Sequence, residues 1–110
     1  MLKKEYLKSQ NVARVTFELA DYEIPGDIEV ETVHLVGEFN GWDIEATPMK
    51  HMKKGAFQVV IELEPERDYR FKYLINGKHW CNDWEADGYI SDGYASDNSV
   101  VRTPGKESRN

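Results

Sequence analysis

From Tyr69 to Ile75 the chain alternates without a break. Tyr69, Phe71, Tyr73 and Ile75 are large and apolar, and Arg70, Lys72 and Leu74 fall between them. A period of two is strand geometry, because successive side chains leave a strand on opposite faces. Asn76-Gly77 follows directly, a dipeptide that accepts the positive φ angles of a tight hairpin turn. The same period runs through Ala13–Leu19, where Val15, Phe17 and Leu19 alternate with Arg14, Thr16 and Glu18, and through Phe57–Leu63. Shorter strands are expected at Glu31–Val36 and Asn98–Arg102. Pro25-Gly26 and the stretch Pro65 to Asp68 read as turns. No segment carries a convincing long 3.6-residue apolar period. A chain of short strands and turns buries its apolar rows by stacking sheets, so the expected fold is an all-β antiparallel sandwich. Met1–Asn11 is basic and mildly amphipathic and is expected to be a short helix or arm. Asn82–Asp97 reads as a long ordered loop. The resulting division is an arm at 1–12, a sandwich at 13–102 and a frayed tail at 103–110.

A chain of 110 residues supports one hydrophobic core. Its formal net charge of −6 disfavours a nucleic-acid backbone or an anionic membrane surface as partner. With one cysteine, Cys81, no internal disulfide can form. No apolar run reaches membrane-spanning length and the N-terminus lacks an apolar signal core, so a cytoplasmic protein is expected.

The run VGEFNGWD, Val36 to Asp43, places a large indole, Trp42, just past a strand and an Asn-Gly turn. A flat aromatic face at the edge of a β-structure suits the apolar face of a sugar ring. A second indole, Trp80, depends on hairpin register. A two-residue loop of Asn76-Gly77 sets Trp80 across from Tyr73 and turns it inward. A three-residue loop with Gly77 in the left-handed region sets it across from Lys72 and turns it outward. Both loops are common, and a slip of one residue exchanges the faces.

Other chemistry is poorly represented. Asp83, Glu85, Asp87 and Gly88 resemble the start of a calcium loop, but Glu85 stands at its third position and Tyr94 at its twelfth, where a glutamate is needed. His34, His51 and His79 show no metal spacing, Cys81 has no identifiable base or orienting group, and no cofactor motif is present. Glycoside hydrolysis needs two carboxylates across a cleft, and acidic residues are too numerous here for a count to mean anything.

Five segments in order carry a resemblance: VGEFNGWD, TPM at Thr47–Met49, GAFQVVIEL, YRFKYLINGKHWCND and DNSVV. They resemble the early-set domain of α-glucan enzymes, the family 48 carbohydrate-binding module of isoamylases and glycogen-branching enzymes, also found as the glycogen-binding domain of AMP-activated protein kinase β subunits. The overall look is similar to small stand-alone bacterial isoamylase early-set proteins. The resemblance spans about Ala13 to Arg102. It implies an immunoglobulin-like sandwich and a non-catalytic module that binds glycogen, starch or maltooligosaccharides, with an α-glucan-metabolising enzyme or kinase as further partner. The catalytic pair of the related hydrolases sits on a barrel of about 250 residues, which does not fit in this chain. The sugar-gripping positions of the family fall on Trp42, Lys72, Trp80 and Asn98, and the loop residues before the asparagine on Tyr94 and Ser96. The family hairpin carries one residue between the turn glycine and its tryptophan, whereas here Lys78 and His79 intervene. A longer loop keeps Trp80 on the lysine face, so the resemblance favours the outward register. Trp84, extra to the pattern, is read as structural. The alternative function is a structural or protein-interaction module without sugar binding.

Overall fold

In the computed structural model, which describes residues 1–94 and 96–106, two antiparallel sheets pack face to face. The first has the order β1-β2-β5-β4, with β1 Leu2–Leu7, β2 Val12–Leu19, β4 Lys50–His51 and β5 Phe57–Leu63. The second has the order β3-β6-β9-β8, with β3 Val33–Gly37, β6 Asp68–Ile75, β8 Gly88–Ser91 and β9 Asp97–Arg102. A short strand β7, His79–Cys81, also pairs with β6. The expected all-β sandwich is the observed architecture.

The alternating rows meet between the sheets. Ala13, Val15, Phe17 and Leu19 of β2 face Tyr69, Phe71, Tyr73 and Ile75 of β6, and all are buried. Phe17 and Phe71 meet edge to face, with ring centroids 5.0 Å apart at 78°, an arrangement that adds to simple area burial. Phe39 packs on Phe17 at 5.5 Å and closes the end of the core.

Three segments differ from the sequence expectation. Residues Leu2–Leu7 form β1, paired with β2 from Leu2↔Phe17 to Leu7↔Val12, rather than a helix or arm. Weak alternation suffices because β1 is an edge strand whose backbone bonds are supplied by β2. The stretch read as a loop, Asn82–Asp97, contains β8. Thr103, expected in the frayed tail, is buried. Its hydroxyl donates to the Glu64 carbonyl at 2.8 Å and accepts from Arg67 N–H at 2.9 Å. Residues 107–110 lie outside the described residues.

The β6–β7 hairpin adopts the outward register. Asn76 and Gly77 both have positive φ, 54° and 72°, and Lys78 N–H closes the turn on the Ile75 carbonyl at 3.1 Å. Pairing resumes one residue late, as Ile75↔His79, Leu74↔Trp80 and Tyr73↔Cys81, so Lys78 is an extra residue. Trp80 therefore lies across from Leu74, not Lys72. Leu74 and Lys72 share a face of β6, so the outward direction stands while the partner is corrected. The turn is bolted to the preceding segment through Asn76. Its Oδ1 accepts Glu31 N–H at 2.7 Å and Thr32 N–H at 3.1 Å, its Nδ2 donates to the Glu29 carbonyl at 2.9 Å, and its own N–H donates to the Thr32 carbonyl at 2.8 Å.

Replacing Asn76 by alanine removes three side-chain bonds and puts a Cβ residue with no local hydrogen bonding in the left-handed region. The expected loss is about 2–3 kcal/mol, read from urea unfolding. A loss under about 0.5 kcal/mol, the level of an ordinary surface change, would show that the turn is held by other contacts.

Candidate functional site

VGEFNGWD folds into a compact knot at the end of β3. A Cβ on Gly37 would stand 2.6 Å from the Arg70 carbonyl oxygen and 2.9 Å from Phe71 Cβ, so only glycine lets β3 end this close to β6. A short 3-10 turn, Glu38–Asn40, follows. Asn40 ties it down. Its Oδ1 accepts Gly37 N–H at 3.1 Å, and its Nδ2 donates to the Leu35 carbonyl at 2.9 Å and to Thr47 Oγ1 at 3.0 Å. The Glu38 carboxylate accepts Arg70 N–H at 2.7 Å. The TPM segment runs beside β3, with Leu35 N–H on the Thr47 carbonyl and Met49 N–H on the Val33 carbonyl, and so covers that sheet edge.

Gly41 and Trp42 then adopt successive left-handed conformations, φ 68° and 60°, and Trp42 N–H returns to the Gly37 carbonyl at 2.9 Å. A bulky residue in that region is strained by about 1 kcal/mol or more. Trp42 is 38% exposed. Trp80 is 48% exposed.

The outer face of the second sheet is more than a solvated surface. Val36, Leu74 and Val100 belong to it, since they alternate with the core residues Leu35, Tyr73 and Val101, yet all three are buried. Around this apolar patch Trp42, Lys72, Trp80, Asp92, Ser96 and Asn98 line one groove of about 410 Å³. Lys72 reaches across to Ser96 Oγ at 3.0 Å. Asp92 shapes the loop between β8 and β9. Its Oδ1 accepts Tyr94 N–H at 2.7 Å and Ser96 N–H at 3.3 Å, and its own N–H donates to the Ser96 carbonyl at 2.9 Å.

Five of the six residues singled out in the sequence thus come together: Trp42, Lys72, Trp80, Ser96 and Asn98. Tyr94 does not line the groove and is 88% exposed. Asp92 was missed. The spacing Asp92-x-Tyr94-x-Ser96 is the available signal, since an aspartate commonly accepts the N–H two residues on. Trp84, read as structural, is largely exposed.

The acidic segment after Trp80 is engaged internally. Asp83 is fully buried. Its Oδ2 accepts the Tyr73 hydroxyl and the Met1 ammonium, each at 2.6 Å, and its Oδ1 accepts Glu85 N–H at 2.7 Å. Asp87 takes Lys4 Nζ at 2.7 Å and Arg102 N–H at 2.7 Å. Among the described residues no three His, Cys, Asp or Glu side chains are grouped to hold a metal ion, and no helix is long and apolar enough to cross a membrane.

Burial pushes the Cys81 thiol up to about 11, with Glu23 and Asp83 adding in the same direction. Burial first and the Asp83 carboxylate second push the Tyr73 phenol well above its ordinary value. Both groups ionise more readily in the unfolded chain. Their contribution to stability is complete below the unfolded pKa values and is lost as pH rises. For Cys81 the window runs from 9.0 to about 11. The urea midpoint should therefore fall between these limits, and Cys81→Ala should flatten that fall. An unchanged slope in the variant would exclude the thiol as its source.

The left-handed Trp42 yields a reversed ranking. Glycine relieves strain that alanine retains, so Trp42→Gly should be about 1 kcal/mol more stable than Trp42→Ala. Urea unfolding of both variants measures the difference, and an equal or lower value for glycine would mean that position 42 carries no strain.

A family model, carbohydrate-binding module 48 (isoamylase N-terminal domain), matches residues 29–95. The match includes Trp42, Lys72 and Trp80 and stops just short of Ser96 and Asn98. No curated protein matches the chain by sequence. Among solved structures, the chain is similar to ferric enterobactin esterase from Salmonella typhimurium, with a TM-score of 0.70 and 9% identity, over 94% of this chain and 34% of that one. The chain spans about a third of that protein, and at this identity the likeness concerns the fold alone. With a match over more than half its length, the chain belongs to the carbohydrate-binding module 48 (isoamylase N-terminal domain) family.

Proposed function

We propose that the chain is a non-catalytic, cytoplasmic module that binds α-glucans such as glycogen, starch or maltooligosaccharides. One observation carries the reading: two half-exposed indoles share a groove with an ammonium, a carboxylate, a hydroxyl and an amide. Indole faces take the apolar C–H faces of pyranose rings, where burial and weak C–H contacts favour association. Sugar hydroxyls are donors and acceptors at once, and the polar groups answer both roles. Among the described residues, Lys72 donates one N–H to Ser96 and the loop bonds to Asp92 fall on Oδ1. Trp42 comes from a loop after β3 and Trp80 from β7, so the platforms rest on different elements. Such a pair suits a curved glucan, whose successive rings are inclined to one another. Val36, Leu74 and Val100, buried on the same face of the sheet as Lys72, add apolar support to it.

Titration of intrinsic tryptophan fluorescence with maltoheptaose tests the reading. The expected outcome is saturable binding of the wild-type chain at roughly micromolar to millimolar strength. Trp80→Ala and Trp42→Gly should each cost about 2 kcal/mol, roughly 30-fold in affinity. Folded protein with no spectral response and no retention on glycogen would rule the proposal out.

A further inference from the structure

A second pair of aromatic rings stands outside the groove. Tyr22 is 72% and Trp84 62% exposed, and their rings meet edge to face, 5.8 Å apart at 63°. Large aromatic side chains exposed together are unusual on a small soluble domain. Their positions are built. Tyr22 lies in the 3-10 turn Asp21–Glu23 after β2, and Trp84 follows β7. The buried Glu23 carboxylate joins the two segments, with Oε2 accepting Ala20 N–H at 2.9 Å and Oε1 accepting Trp84 N–H at 3.2 Å. Asp83, beside Trp84, is buried and bonded to Tyr73. The backbone on both sides of the pair is therefore anchored while the rings face water.

Trp84 is four residues from Trp80, so the two α-carbons are at most about 14 Å apart. The two aromatic sites thus lie within reach of one polysaccharide chain. The exposed charges beside the pair in sequence are Asp21 and Glu85. Carboxylates there repel an anionic partner and accept hydrogen bonds from a neutral polyol.

We propose that Tyr22 and Trp84 form a second carbohydrate station, which contacts a further stretch of the same polysaccharide whose first stretch fills the Trp42–Trp80 groove. The proposal rests on the α-glucan reading above and extends it to chain length. A short oligosaccharide fills the groove alone, and a polymer engages both stations, so the second contact is made at high effective concentration.

The test compares maltotriose with glycogen, using wild type, Tyr22→Ala, Trp84→Ala and Trp80→Ala, with near-ultraviolet circular dichroism to establish folding. Tyr22→Ala and Trp84→Ala should leave maltotriose affinity unchanged and weaken glycogen binding at least about fivefold, the scale of one aromatic contact. Trp80→Ala should weaken both. Unchanged glycogen binding in folded Tyr22→Ala and Trp84→Ala overturns the second station and leaves the groove reading intact. Equal losses on both ligands overturn it too, because the pair would then act through the groove. Wild-type protein that holds neither sugar overturns the groove reading and the second station together.

Discussion

The groove depends on the register of one hairpin. Lys78 is inserted between a tight turn and the resumed ladder, and this single residue sends Trp80 to the outer face instead of the core. The turn itself is fixed to the segment before β3 through Asn76, whose amide and backbone bond to Glu29, Glu31 and Thr32. Both loop lengths are common in hairpins, and the one adopted here gives the lysine face of β6 its second indole.

Strain and support are divided around the site in a consistent way. Trp42 sits in an unfavourable backbone region, and the knot that holds it is heavily bonded through Asn40 and Glu38 and closely packed at Gly37. Local strain persists only where the surroundings over-determine it. On the opposite wall Asp92 organises its loop through backbone N–H groups and delivers Ser96 to Lys72. The buried residues on the outer face make this side of the sheet a second small apolar layer. A binding surface held this way loses little conformational freedom when a ligand arrives.

The buried acidic pair of the lateral edge serves the same end. Asp83 and Glu23 are costly to bury and are compensated by hydrogen bonds, in one case from a core phenol. They join β2, β6 and the segment after β7 where no regular ladder connects them. In an acidic run that reads as a solvated or metal-seeking loop, Asp83 and Asp87 are instead part of the frame, their carboxylates taken up by backbone, phenol and ammonium donors.

The sequence by itself determined β2, β5 and β6 and their core faces, because a period of two leaves each apolar row one way to be buried, whereas β1 and β8 carry no such period and were not legible. It also brought forward Trp42, Lys72, Trp80, Ser96 and Asn98, through the ordered motifs they occupy. Other features belong to the tertiary structure, because they depend on residues far apart in the chain. The burial of Val36, Leu74 and Val100 on a face that alternation assigns to solvent is one. The inward turn of Asp83 toward Tyr73 is another, as is the approach of the β8–β9 loop that adds Asp92 and leaves Tyr94 outside. The hairpin shows the division most clearly. Asn76-Gly77 announces a turn in one dimension and leaves two loop lengths open, but the turn's anchoring to Glu29–Thr32, more than forty residues earlier, is something only folding brings within reach.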